Sequence, residues 1–220
     1  MKKIVVIPAR GGSKRIPRKN IKDFYGKPII SYSLESSKNA GIFDCVHAST
    51  EDKEIYEIVS QLGFKPKFYR SDENSADNIG VKDVLVEVVS MFEKQGIIFD
   101  IVCLLSATAP LISAEDLKDA FYTFEKSGMK HPMLAVTKYP VPIEWALRFD
   151  LEEKFIKPVN SNLFFASSHA FKDAYYDVGS FAYFTRDQLF LSSQDIVFFP
   201  YILPQTKSLL IFFSKWYQRI

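Results

Sequence analysis

The densest chemistry in the chain lies near its start, in the run Pro8-Ala9-Arg10-Gly11-Gly12-Ser13-Lys14-Arg15-Ile16-Pro17-Arg18-Lys19-Asn20. Five basic side chains, Arg10, Lys14, Arg15, Arg18 and Lys19, fall within ten residues, with two glycines between the first two of them. Glycines let a backbone approach a ligand closely and present N–H groups to it. Dense positive charge around such a turn suits a polyphosphate. The spacing is neither G-x-G-x-x-G nor G-x-x-x-x-G-K-[ST], so neither the dinucleotide fingerprint nor the P-loop applies. A solvated basic loop is the plain alternative, but such a loop has no need of paired glycines.

The elements around this run decide where it sits. Residues 4–7 read as a buried strand directly before it, and short β-branched runs then alternate with helical patterns, the signature of βαβ units around a parallel sheet. Helical spacing covers 29–38, 54–62 and 81–93, with Gly63 as a C-cap after the second. Strands are expected at 45–48, at 67–70 as a short third strand, and at 100–105. Ser113-Ala-Glu-Asp116 matches a capping box for a helix running through Phe124. Further strands are expected at 133–139, 178–184 and 196–202. The stretch 138–173 has no clean helix and is too long for a plain connection, so it reads as an arm or flap. The fold class is α/β, one domain over 1–220, and the basic loop falls at the carboxyl edge of the first strand, where such sheets bind ligands.

Composition narrows the classes. Apolar residues make up 47% of the 220 and charged residues 25%, as in globular domains. A net charge of +2 argues against a nucleic-acid-coating surface. Cys45 and Cys103 sit in apolar strand-like runs and read as buried thiols, not as a disulfide framework or metal site. No run of about 18 apolar residues offers a membrane span, and the four-residue apolar run before Pro8 is too short for a signal peptide. The expectation is a cytoplasmic protein.

The run from Ile7 to Asn20, followed by Phe24-Tyr-Gly-Lys-Pro28, resembles the nucleotide-binding loop of the CMP-sialic acid synthetases, in particular their pseudaminic acid branch. Later segments resemble that family in the same order over about residues 1–205: Ser49-Thr-Glu-Asp52, Phe68-Tyr-Arg70 with Asp77, Ala107-Thr-Ala-Pro110, residues 139–147, and Asp173-Ala-Tyr-Tyr-Asp-Val-Gly-Ser-Phe181. Arg18-Lys19-Asn20 is similar to the branch acting on nine-carbon nonulosonic acids rather than the eight-carbon Kdo branch. The resemblance implies a Rossmann-like nucleotidyltransferase with a mainly parallel central sheet flanked by helices, and an arm that reaches across a homodimer. It implies CMP transfer from CTP to an acidic sugar, pseudaminic acid in the first instance, with pyrophosphate released and magnesium carried with CTP. Partners would be these two small molecules and a second copy, not nucleic acid or membrane.

The resemblance also assigns roles. Ala9, Arg10, Gly11, Gly12, Ser13, Lys14 and Lys19 would hold the phosphates, with Arg10, Lys19 and Asn20 closest to the reaction. Arg70 and Asp77 would line the cytidine side, Arg70 offering donors to a cytosine carbonyl. Ser106, Thr108, His169, Asp177, Phe181 and Tyr183 would shape the sugar pocket. Taken singly, Arg70 also reads as an exposed strand-end arginine, Asp77 as a helix N-cap, His169 as a surface residue, and Phe181 and Tyr183 as core packing. Two departures stand out. Leu209 and Ile211 occupy the positions of two metal-binding aspartates, and Ser167-Ser168-His169 replaces an R-S-Q run whose arginine is a carboxylate donor. Asp177, Asp52 and Glu51 are the acids placed to substitute as metal ligands. The alternatives are thus a CTP-binding homologue without turnover, or a cytidylyltransferase for another acidic sugar.

Overall fold

β1 (Lys3–Pro8) sends Val5 and Ile7 to one face of a sheet and Ile4 and Val6 to the other, all four fully buried. A strand period of two divides these side chains between two cores, so each face needs its own helical cover. The computed structural model describes residues 1–14, 16–76, 78–191 and 197–207.

After β1 come a small hairpin of β2 (Asp23–Phe24) and β3 (Lys27–Pro28), then α1 (Ile30–Ala40), β4 (Cys45–Ser49) and α2 (Lys53–Gln61). Next are α3 (Val81–Glu93), β5 (Ile101–Leu105), α4 (Ala114–Lys126) and β6 (Met133–Lys138). A second hairpin, β7 (Leu147–Phe149) and β8 (Ile156–Pro158), precedes β9 (Tyr175–Thr185), α5 (Arg186–Phe190) and β10 (Phe199–Ile202). Among the described residues the main sheet has six strands in the order β10-β6-β9-β5-β1-β4. It is mainly parallel, with β9 running against both β5 and β6.

Apolar residues of α1, α2 and α4 bury against one face, including Leu34, Ile55 and Phe124. α3 and α5 cover the other with Leu85, Val88, Val89, Phe92 and Leu189. Each such side chain contributes about 1.5–3 kcal/mol on burial. The capping box at Ser113 is formed, with Asp116 N–H donating to Ser113 Oγ at 3.2 Å and Ser113 N–H to Asp116 Oδ2 at 2.9 Å. Gly63 takes φ +87°, the left-handed turn that ends α2.

One expected strand does not form. Residues 67–70 are irregular, because Pro66 has no N–H for a ladder and Phe68 turns in to pack on His47 and Phe92. At its end the Arg70 N–H reaches Thr50 O, at 2.9 Å. The excursion between β6 and β9 is not wholly irregular, since it contains the β7–β8 hairpin. Cys45 and Cys103 are unbridged, and burial pushes both thiols up in pKa. No described helix is long and apolar enough to cross a membrane.

β1 lies between β4 and β5, so the chain leaves β1 towards one neighbour and returns on the other side. The carboxyl ends of β1 and β5 therefore diverge, and a crevice opens between the loops that follow them.

Candidate functional site

A cleft of about 520 Å³ occupies this switch point. The loop after β1 lines it with Arg10, Ser13, Lys14, Lys19 and Asn20, and the end of β5 with Ser106 and Ala107. The segment between α2 and α3 adds Arg70, Asn74 and Ile79, and the start of α3 adds Val81 and Val84. Basic residues from one loop thus share a cavity with an arginine set among small and apolar residues.

The loop is tied to the β4–α2 turn. Ala9, itself buried, donates its N–H to Ser49 O at 2.9 Å, and Gly11 N–H donates to Glu51 Oε1 at 2.7 Å. Asn20, buried in a 3-10 turn (Lys19–Ile21), donates from Nδ2 to Arg10 O at 2.9 Å. Arg18, at φ +55°, grips both carboxylate oxygens of Asp52 at 2.7 and 2.9 Å and also bonds Glu54. That fork holds Asp52 below the usual carboxylate range, against the opposing effect of partial burial. Asp52 in turn caps α2 by accepting the Ile55 N–H at 3.0 Å.

The glycines divide their duties. A Cβ on Gly11 would lie 2.2 Å from Asp52 Oδ2, so this position is glycine because Asp52 packs against it. Its N–H is spent on Glu51, and the Ser13 N–H is spent on Gly11 O at 2.9 Å. The expectation that both glycines face a ligand is corrected for Gly11. Gly12 is exposed and has nothing within 4 Å of a built Cβ.

Arg70 is buried, not an exposed strand end. Its Nε donates to Ser49 Oγ at 3.0 Å and one terminal nitrogen to Ser49 O at 2.5 Å, while the other terminal nitrogen lies 4.0 Å from Glu51 Oε2. Burial lowers its pKa, and Glu51 and Glu87 oppose that shift. Ser106 is held by its N–H on Ser180 O at 2.7 Å and by Ser33 Oγ on its carbonyl at 2.8 Å.

Other expected residues lie elsewhere. Thr108 lines a separate small depression with Ser180 and Lys207, while its N–H donates to Ser106 Oγ of the cleft at 3.3 Å. His169 is exposed in a 3-10 turn (Ser168–Ala170). Asp177 is exposed on β9 and accepts the Gly179 N–H at 2.6 Å. Phe181 and Tyr183 are core residues rather than pocket residues, at 2% and 0% exposure, because β9 turns them into the layer beneath α4. Tyr183 donates its hydroxyl to Leu117 O at 2.7 Å, and burial drives its pKa well up. Asp77, Arg15, Leu209 and Ile211 lie outside the described residues.

Asn74, Ile79, Val81 and Val84 carry no motif that marks them in the sequence as lining the cleft. The nearest signal is the run Asp72–Gly80, crowded with Asp, Asn, Ser and Gly between two helical patterns, which marks a loop able to reach the sheet's carboxyl edge. The described residues do not fit a protein-held metal. No three His, Cys, Asp or Glu among them gather where they could hold an ion, and both Asp52 oxygens and one Glu51 oxygen are committed to the loop.

The sequence matches the family described as Cytidylyltransferase over residues 4–217. The chain belongs to the cytidylyltransferase family. It is 39% identical over 209 residues to the pseudaminic acid cytidylyltransferase of Campylobacter jejuni serotype O:2, covering 93% of this chain and 88% of the relative. The CMP-N,N'-diacetyllegionaminic acid synthase of Legionella pneumophila is 27% identical over 158 residues, 72% of this chain and 67% of that one. A solved CMP:2-keto-3-deoxy-manno-octonic acid synthetase complexed with CTP has the same fold, with a TM-score of 0.65 at 20% identity over 99% of this chain and 86% of that chain. The cytidylyltransferase sheet and its flanking helices are those described above.

Proposed function

We propose that this cytidylyltransferase transfers CMP from CTP to pseudaminic acid and releases pyrophosphate. The observation that carries the reading is the polarity of the cleft. Arg10, Lys14 and Lys19 stand on the loop side, while the buried Arg70, its charge opposed by Glu51 and Glu87, stands among Ala76, Ile79 and Val84. An anionic triphosphate suits the first group, and a flat neutral base with a carbonyl acceptor suits the second. The acceptor's identity rests on the similarity to the Campylobacter enzyme over most of both chains.

In this reading the anomeric hydroxyl oxygen of the sugar attacks the α-phosphorus, the bond to the bridging oxygen breaks, pyrophosphate leaves, and the hydroxyl proton passes to solvent water. Arg10, Lys14 and Lys19 offset the charge that builds on the phosphates, with Lys19 nearest the α-phosphate, and Asn20 keeps the loop in place beside them. Arg70 donates to the cytosine carbonyl, Asp77 supports the cytidine side, and Ser106, Thr108, His169 and Asp177 address the acceptor. Magnesium would accompany CTP and supply positive charge to the phosphates. The chain works as one catalytic domain in the cytoplasm, paired as a homodimer through the excursion 138–173, where Phe165 and Leu151 are 91% and 82% exposed.

The test is pyrophosphate release from CTP and magnesium with pseudaminic, legionaminic and N-acetylneuraminic acids in parallel. Turnover is expected with pseudaminic acid. CTP binding without turnover of any of the three would leave a CTP-binding homologue or a different acceptor.

A further inference from the structure

One carboxylate touches both sides of the cleft. Glu51 follows β4, and its Oε1 accepts the Gly11 N–H at 2.7 Å. Its Oε2 is buried without a hydrogen-bond partner and lies 4.0 Å from a terminal nitrogen of Arg70, whose side chain is only 3% exposed. The same peptide unit that Glu51 holds by its N–H is held by its carbonyl through Asn20 Nδ2, at 2.9 Å. The Arg10–Gly11 peptide plane is therefore fixed from both edges, by residues 10 and 40 positions away in sequence.

Two consequences follow from ordinary hydrogen-bond accounting. The Gly11 N–H cannot serve a phosphate while Glu51 holds it, so charge neutralisation falls to side chains, whose direction depends on that plane. Arg70, with a buried counter-charge beside it and two donors spent on Ser49, keeps its remaining N–H groups for a neutral acceptor.

We infer that Glu51 is a positioning residue for the proposed transfer, setting the Arg10–Gly11 peptide on the phosphate side and the Arg70 guanidinium on the base side with one carboxylate. The inference rests on the CTP reading of the cleft for its catalytic consequence, and on geometry alone for the grip itself. Glu51→Ala removes both contacts. Glu51→Asp keeps the charge but draws it one methylene away from Gly11. Glu51→Gln keeps an acceptor for Gly11 and loses the charge.

The experiment measures the Gly11 amide exchange rate by NMR, CTP affinity by calorimetry, and kcat and KM with pseudaminic acid, at matched thermal stability. The Ala and Asp variants should speed Gly11 exchange by at least about tenfold, as expected for a lost amide bond. They should also weaken CTP binding and lower kcat/KM by about 10- to 100-fold, the scale of a misplaced catalytic loop. Gln should restore Gly11 protection and most of kcat, while lowering the preference for CTP over UTP. Unchanged Gly11 exchange in Ala and Asp, or wild-type CTP binding in both, would overturn the inference. If wild-type protein binds no CTP, the functional reading fails, and Gly11 exchange alone then decides for or against the grip.

Discussion

The two sides of the cleft are built differently. On the proposed nucleotide side, Ala9, Gly11 and Arg18 tie the loop to the β4–α2 turn by two backbone donors and a forked arginine, and Arg70 is anchored twice on Ser49. On the expected acceptor side, His169 and Asp177 are exposed, Thr108 faces a separate depression, and the neighbouring excursion leaves Phe165 and Leu151 open. One half is pre-organised within a single chain. Of the other, Ser106 lines the same cavity, while Thr108, His169 and Asp177 are not among its lining residues. Pre-organised donors stabilise a developing charge without reorganisation at the moment of reaction, whereas a site gathered on binding must first order its parts.

The largest expected effect tests that asymmetry directly. Lys19→Ala should lower kcat by about 10²- to 10³-fold, the loss seen when one pre-organised charge donor is removed, while Thr108→Ala should cost less than about tenfold. Equal losses in steady-state kinetics would break the comparison.

The next concerns acid stability of the nucleotide side. His47 on β4 is 1% exposed, packs on Phe68 and Phe92, and has neither ring nitrogen hydrogen-bonded. Burial first, then Arg70 and Lys67, hold its pKa down to about 4 from 6.5. The unfolded chain thus binds a proton in the window from about 6.5 to 4 that the folded chain refuses, so stability falls as pH drops through it. The loss approaches about 3 kcal/mol by the bottom of the window. Melting curves across this range should show the decline, and His47→Leu should flatten it. An unchanged slope in the variant would assign the acid sensitivity to other groups.

A glycine pair sharpens the account of the loop. Gly11→Ala must push Asp52 out of the Arg18 fork and should destabilise by about 1–3 kcal/mol, as overpacking does. Gly12→Ala meets nothing and should stay within about 0.5 kcal/mol, as a surface change does. Denaturant midpoints measured side by side decide it.

The smallest effect belongs to the open side. Replacing Phe165 and Leu151 by Ser should shift sedimentation towards the monomer and raise the acceptor KM by about threefold, a loss of less than 1 kcal/mol. CTP affinity should stay within about twofold. A larger loss in CTP binding than in acceptor binding would reverse the comparison.

Much of this was legible in the sequence because local rules and burial agreed. The helix at 81–93 begins and ends where its apolar period does, the capping box at Ser113 is where its residues predict, and the loop after β1 lies at the carboxyl edge. What failed was what depends on distant partners. Pro66 marks a break before residues 67–70, but nothing local announces that Phe68 and Arg70 turn inward to partners on and after β4. Gly11 looks like a ligand-facing glycine until Asp52, 41 positions on, is seen against it. Phe181 and Tyr183 alternate as strand residues do and read singly as core packing; what the sheet order overturns is the pocket role that the resemblance implies for them.

The most direct measurement is calorimetric titration of the apoprotein with CTP alone, with pseudaminic acid alone, and with pseudaminic acid after CTP has been bound. The account predicts one CTP per chain without acceptor, preferred over UTP and ATP, and acceptor binding that strengthens sharply once the nucleotide is in place. Acceptor binding that needs no nucleotide, or CTP binding that needs the acceptor, would contradict it.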